Sequence, residues 1–157
     1  MSAASGGGAS PEAAADRGGT WVTARTGSGS YRTEITAGGH DLVADESTTV
    51  GGGGGGASPY ELLLSAIGSC TAMTMRMYAS RKQWPLEEVT VRLRNGRRYA
   101  EDCENCEKQS VGIQQIERQI DMKGDLTDEQ RQRLLLIADR CPVKQTLEKG
   151  IKVITVP

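Results

Sequence analysis

Phenylalanine is absent from this 157-residue chain, and tryptophan and tyrosine together make up only 4% of it. Any core must therefore be built mainly from aliphatic side chains. Histidine occurs once, at His40 beside Gly38-Gly39, where a solvated turn residue is the ordinary reading. With no second histidine, a Cys-His nucleophilic centre has no other candidate, and the cysteine-protease class is set aside. Neither sign of charge is in excess: 19 Lys+Arg stand against 20 Asp+Glu, a net charge of −1. That balance gives no electrostatic case for nucleic acid or an anionic membrane as partner. The apolar run Leu62–Met75 holds fourteen residues, short of the ~20 needed to cross a bilayer. The N-terminal stretch MSAASGGGASPEAAADRGG lacks the apolar segment of an export signal and carries Glu12 and Asp16. Residues 1–19 are expected to form a disordered tail and 20–157 the domain. Four cysteines without an export signal point to a reducing cytoplasm, where thiols serve chemistry or metal more often than structural bridges.

One segment, by contrast, suits a core on every side. SPYELLLSAIGSCTAMTMRMYASRK, residues 58–82, opens with Ser58 as N-cap, Pro59 at the first helical position and Glu61 three residues after the cap. No charge interrupts Leu62–Met75, so no face of the helix suits water, and a helix apolar all round in a soluble chain is buried. Cys70 lies in its middle.

Short strands precede this helix. Trp21–Arg25 is rich in strand formers, and Tyr31, Thr33 and Ile35 alternate with Arg32, Glu34 and Thr36. Gly38-Gly39 suits a two-residue hairpin turn, with His40–Asp45 as the returning strand. The three strands predict an antiparallel meander with one buried face. Gly51–Gly56 lacks the Lys-Ser/Thr pair of a phosphate cradle and reads as a flexible loop.

Beyond the helix, Trp84-Pro85 ends the helical run. Val89, Val91 and Leu93 form a half-buried strand that Asn95-Gly96 turns or bulges. Ile116, Arg118, Ile120 and Met122 alternate with Glu117, Gln119 and Asp121 in another. Thr127 opens a second capping box, and the helix that follows breaks at Cys141-Pro142. Val143–Lys149 predicts a further helical piece closed by Gly150, and Ile151–Val156 a last strand. The order predicts an α+β fold, a mainly antiparallel sheet covering a central helix.

The thiols have more than one reading. Cys70, among Gly68, Ser69, Thr71 and Ala72, is either a small buried hydrophobe or a reactive group. Cys141 is either a buried residue closing a helix or the N-cap of one begun by Pro142, where the positive helix end would stabilise a thiolate. Cys103 and Cys106 have the spacing of a redox dithiol or half a zinc site, but no second pair at metal spacing completes four ligands. Asp102, Glu104 and Glu107 oppose thiolate formation there. A surface loop of modest reactivity is the reading, with no metal or cofactor expected.

Ser58-Pro59-Tyr60-Glu61-Leu62-Leu63-Leu64, Gly68-Ser69-Cys70-Thr71-Ala72-Met73 and Cys141-Pro142-Val143 together resemble the OsmC/Ohr family of osmotically inducible and organic-hydroperoxide-resistance proteins, and most of all its OsmC-like branch. The resemblance covers about residues 20–157 by order of elements. It implies an intertwined homodimer in which antiparallel sheets wrap long central helices. It also implies a cysteine-based hydroperoxide reductase acting on organic peroxides and hydrogen peroxide. Matched by motif, Cys70 would be the peroxidatic thiolate and Cys141 the resolving thiol. Cys70 would attack the terminal peroxide oxygen, its sulfenic acid would condense with Cys141, and an external dithiol would reduce the disulfide.

An arginine and a glutamate accompany the thiolate in the family. Arg32 and Arg25 on the first hairpin are the arginine candidates, Arg32 being the one carried forward. The glutamate often directly follows the helix proline, where this chain has Tyr60; Glu61 stands one position later. Nine residues of helix turn Glu61 about 900° from Cys70, onto the opposite face and ~13.5 Å away. Capping or a contact to a partner subunit is thus a competing role for Glu61. The Tyr60 departure also motivates a competing function on the same dimer, a non-enzymatic thiol sensor or small-hydrophobe binding protein.

Overall fold

A computed structural model of the chain describes residues 19–96 and 115–155. The expected tail before Gly19 and the Cys103/Cys106 loop lie outside the described residues. The chain divides into two compact units, with the boundary between Pro59 and Tyr60.

The first unit is an antiparallel meander of β1 (Val22–Thr26), β2 (Thr33–Ala37) and β3 (His40–Ala44) in that order. Ala37 pairs with His40 across Gly38-Gly39, whose φ angles are +58° and +81°. Positive φ at both positions is what a tight hairpin of right-twisted strands requires, and glycine supplies it without strain. Of the expected buried face, only the alternation of Thr33, Ile35 and Ala37 on β2 is present; β1 is exposed throughout because nothing in its unit covers it.

The glycine run is held in place, unlike the flexible loop that its composition predicts. Buried Asp45 accepts from Glu46 N–H at 2.8 Å and Gly55 N–H at 3.0 Å. Its own N–H donates to Ala57 O at 3.1 Å, and Gly54 N–H donates to Glu46 O at 3.0 Å. A Cβ at Gly52 would stand 1.9 Å from Glu46 O, and one at Gly56 2.3 Å from Val43 O. Close backbone approach, rather than mobility, accounts for these two glycines.

The second unit comprises α1 (Pro59–Arg81), β4 (Glu88–Gly96), β5 (Gln115–Lys123), α2 (Asp128–Ala138) and α3 (Pro142–Lys149). β4 and β5 pair antiparallel, with Val91 opposite Ile120. The ladder continues through Asn95 opposite Ile116 and Gly96 opposite Gln115, so Asn95-Gly96 neither turns nor bulges the strand. Thr127 caps α2 reciprocally with Gln130, as its capping box predicts. The core is aliphatic, as a chain without phenylalanine demands: Met75, Ala79, Leu86, Leu126, Leu134 and Ala138. Tyr78 and Trp84 meet edge-on at its margin, ring centroids 5.5 Å apart.

Burial of α1 is one-sided, in contrast to the all-round burial its composition predicts. Ile67, Gly68, Thr71, Met75 and Ala79 are buried, whereas Met73 and Met77 are 64% and 56% exposed. Residues of β4, β5 and α2 pack on one side of the helix. Residues 151–155 form no strand, because a strand needs a hydrogen-bonded neighbour and this segment has none among the described residues. Ile151, Val153 and Ile154 are accordingly exposed. Among the described residues, no helix is long and apolar enough to cross a membrane.

Candidate functional site

Cys70 projects from the middle of α1, and Cys141 is the N-cap of α3. Pro142 fills the first helical position, where its missing N–H costs nothing. Cys141 Sγ accepts from Lys144 N–H at 3.5 Å and donates to Ile67 O at 3.9 Å, on the turn of α1 just before Cys70. The packing of α3 against α1 thus makes neighbours of the two thiols, each of which influences the ionisation of the other. Both are free; Cys70 is partly exposed and Cys141 is wholly buried.

Their surroundings divide one proton unequally. Burial pushes the Cys70 thiol up, and the hydrogen bond it gives to Cys141 pushes it further. Burial also acts to raise Cys141. Hydrogen bonds from Cys70, the Lys144 N–H, the Thr71 hydroxyl and the Val143 N–H together outweigh that and hold Cys141 below the ordinary thiol range. Of the two, Cys70 is shifted toward the thiol and Cys141 toward the thiolate.

A cation of this neighbourhood is Arg118, on β5. Its side chain, 16% exposed, donates to Thr71 Oγ1 at 3.3 Å, Ala138 O at 3.1 Å and Asp139 Oδ1 at 2.8 Å. A signal for it exists in the sequence. Arg118 occupies an inward position of β5, in step with half-buried Ile116, Ile120 and Met122, and a charge on the apolar face of a strand needs a partner. Lys144 Nζ pairs with Glu148 at 2.8 Å and Asp139 at 3.6 Å. A cavity of about 510 Å³, which neither thiol lines, has Leu63, Ile67, Leu93 and Leu147 as apolar walls and Arg118 and Lys144 as cations, and Ile67 and Lys144 are also the backbone partners of Cys141 Sγ.

The other expected site residues have neighbours of their own. Arg32 belongs to the first unit, where its guanidinium is beside Asp45 and Gly55. Arg25 pairs with Glu34 at 2.8 Å on an exposed surface. Glu61, in the first turn of α1, lines a groove of about 460 Å³ with Ser65, Gly68, Ala72, Val91 and Leu93, and neither thiol lines that groove. Cys103 and Cys106 lie outside the described residues.

A family model described as OsmC-like protein matches residues 51–156, from the glycine run through both cysteines. The chain belongs to the OsmC-like family. Solved structures of the same fold include an OsmC-like protein from Mycoplasma pneumoniae, with TM-score 0.68 and 17% identity over 83% of this chain and 87% of that one. An organic hydroperoxide resistance protein OsmC from Legionella pneumophila gives 0.56 and 19% over 81% and 87%. The organic hydroperoxide resistance protein OhrB of Bacillus subtilis gives 0.53 and 20% over 81% and 88%. No curated relative matches the chain. At these identities the solved structures fix the fold, α+β with antiparallel sheets and helices, and the family match places the chain among OsmC-like proteins.

Proposed function

We propose that this OsmC-like protein is a cysteine-based hydroperoxide reductase that works through Cys70 and Cys141. The observation that carries the reading is that two free thiols from distant segments are neighbours, one partly exposed and one buried. A peroxide meets Cys70, the partly exposed member, and Cys141 receives the Cys70 proton as attack begins. The Cys70 sulfur bonds to the terminal peroxide oxygen, the O–O bond breaks, and the leaving alkoxide takes the proton back from Cys141. Cys70 is now a sulfenic acid and Cys141 a thiolate again. The thiolate attacks the sulfenic sulfur, expels hydroxide and forms the disulfide, and two electrons from an external dithiol restore both thiols.

The apolar walls of the neighbouring cavity suit the alkyl part of an organic peroxide. A homodimer is part of the proposal, because Met73 and Met77 leave an apolar stripe on α1 that a second copy would cover. The compartment that fits a dithiol donor is the cytoplasm.

A coupled peroxide assay tests the reading. Cys70→Ser loses catalytic consumption of an alkyl hydroperoxide by at least ~100-fold, and Cys141→Ser stops after one turnover with a sulfenic acid on Cys70, seen by dimedone trapping and mass spectrometry. Equal consumption by wild type and Cys70→Ser would sink it. Substoichiometric consumption, ending in a disulfide that dithiols do not recycle, would instead identify a thiol sensor.

A further inference from the structure

We propose that Leu93 is a specificity-determining residue, a partition on β4 that sets the length of alkyl chain the cavity admits. The inference rests on that cavity receiving the alkyl part of a peroxide, and it concerns a side chain that none of the reaction steps uses.

Two hollows flank Leu93, and among the described residues that line them it alone belongs to both. On one side lies the cavity of about 510 Å³, with Leu63, Ile67 and Leu147. Its Ile67 and Lys144 also hold Cys141 Sγ through their backbones. On the other side lies the groove of about 460 Å³, with Leu64, Gly68 and Val91. Helix geometry accounts for the division. Leu63 and Ile67, four residues apart, share one stripe of α1, and Leu64 and Gly68 share the next, about 100° round.

Gly68 lets the partition close. A Cβ there would stand 2.9 Å from Leu93 Cδ1, inside van der Waals contact. Without one, the leucine methyl is seated against the helix, and a methylene chain has no gap of its own width beneath it. The cavity already falls within the ~300–1,000 Å³ of small-molecule sites, so a short ligand needs nothing beyond Leu93. The groove would suit a longer one. Leu64, Ala72 and Val91 are apolar, and Ser65 and Ser69 donate their hydroxyl protons to Glu61 O at 2.7 Å and Ser65 O at 2.8 Å. Those hydroxyls are thereby turned to the helix backbone and leave their methylenes to the groove. Only Leu93 separates this apolar surface from the cavity.

Leucine-methyl NMR with primary alcohols, which carry the alkyl chain and no peroxide bond, tests the partition apart from catalysis. In wild type, 1-hexanol and 1-decanol shift the methyls of Leu63 and Leu147 and leave those of Leu64 in place. In Leu93→Ala, 1-decanol also shifts Leu64 and binds about 4- to 15-fold tighter than to wild type, the gain of burying one or two further methylenes. Binding of 1-hexanol does not tighten. Leu93→Met, close to leucine in volume, behaves as wild type. Circular dichroism checks folding, and where Leu93→Ala does not fold, Leu93→Val takes its place with a shift of the same sign. With hexyl and decyl hydroperoxides as substrates, the decyl-to-hexyl ratio of kcat/KM rises in Leu93→Ala by a similar factor. The change falls in KM, because the added contacts are remote from the reacting oxygen. Movement of Leu64 by 1-decanol in wild type, or no movement in the truncated variant, would overturn the partition whether or not the protein consumes peroxide. An unchanged peroxide ratio in an active Leu93→Ala variant would overturn it as well. A wild type that binds the alcohols as expected but consumes no peroxide would remove the reductase reading and leave the partition standing.

Discussion

Gly52 is defined by a distance. A methyl group there would meet the Glu46 carbonyl at 1.9 Å, and a backbone atom has nowhere to go. Gly52→Ala is expected to cost roughly 1–3 kcal/mol in denaturant unfolding. Gly27→Ala, with open space around it, should stay within about 0.5 kcal/mol. Equal loss at the two sites would show that the glycine run is not packed as described. Asp45 carries the pH dependence of the same turn. The Gly55 N–H, its largest influence, holds the carboxyl below the usual carboxylate range, with the Glu46 and Gly53 N–H groups and Arg32 adding to it against the opposing effect of burial. A depressed carboxyl contributes stability that is fully present above its ordinary pKa of about 4 and is lost as pH falls through the lower folded value. Between pH 5 and 2 the melting temperature should therefore fall more steeply in wild type than in Asp45→Asn. Parallel acid limbs would remove Asp45 from the account. None of this was legible at residue level, because a run of identical glycines gives no sign of which carbonyl each will meet.

Elements were easier to read than their surroundings. The Thr127 capping box rests on hydrogen bonds to residues three positions away, so local spacing was sufficient to place it. Thr127→Ala should destabilise the second unit by about 1 kcal/mol through the loss of that cap, whereas Thr127→Ser should hold most of it; equal losses would mean that the hydroxyl does not cap. The helix of α1 was equally plain from Pro59 and the uncharged run. Which of its sides would be covered was not, since composition cannot distinguish apolar residues packed within a chain from those awaiting another surface. β5 teaches the converse. Its alternation was visible, and Arg118 stood on the apolar face, but only the neighbouring Thr71, Ala138 and Asp139 give that charge a purpose.

For the whole molecule, the open question of α1 becomes one of assembly. Met73 and Met77 are exposed together with Ile151, Val153 and Ile154, apolar residues that the proposed second copy would cover. Analytical ultracentrifugation of wild type is expected to give a two-chain mass, and Met73→Glu/Met77→Glu a one-chain mass or aggregate. A wild-type monomer at micromolar concentration would remove the dimer from the proposal.

The sequence alone determined the elements and the chemistry on offer: an uncharged helix with a thiol at its centre, a second thiol capping a helix begun by proline, and an antiparallel α+β order. Those features depend on residues a few positions apart, whose spacing is the information read. The tertiary structure alone decided that the two thiols are neighbours, that Cys141 is the buried one, and that Arg118 bonds to Thr71 next to Cys70. Such contacts join segments far apart in the chain through packing of whole elements, and no local pattern records which distant side chain will fill a given space.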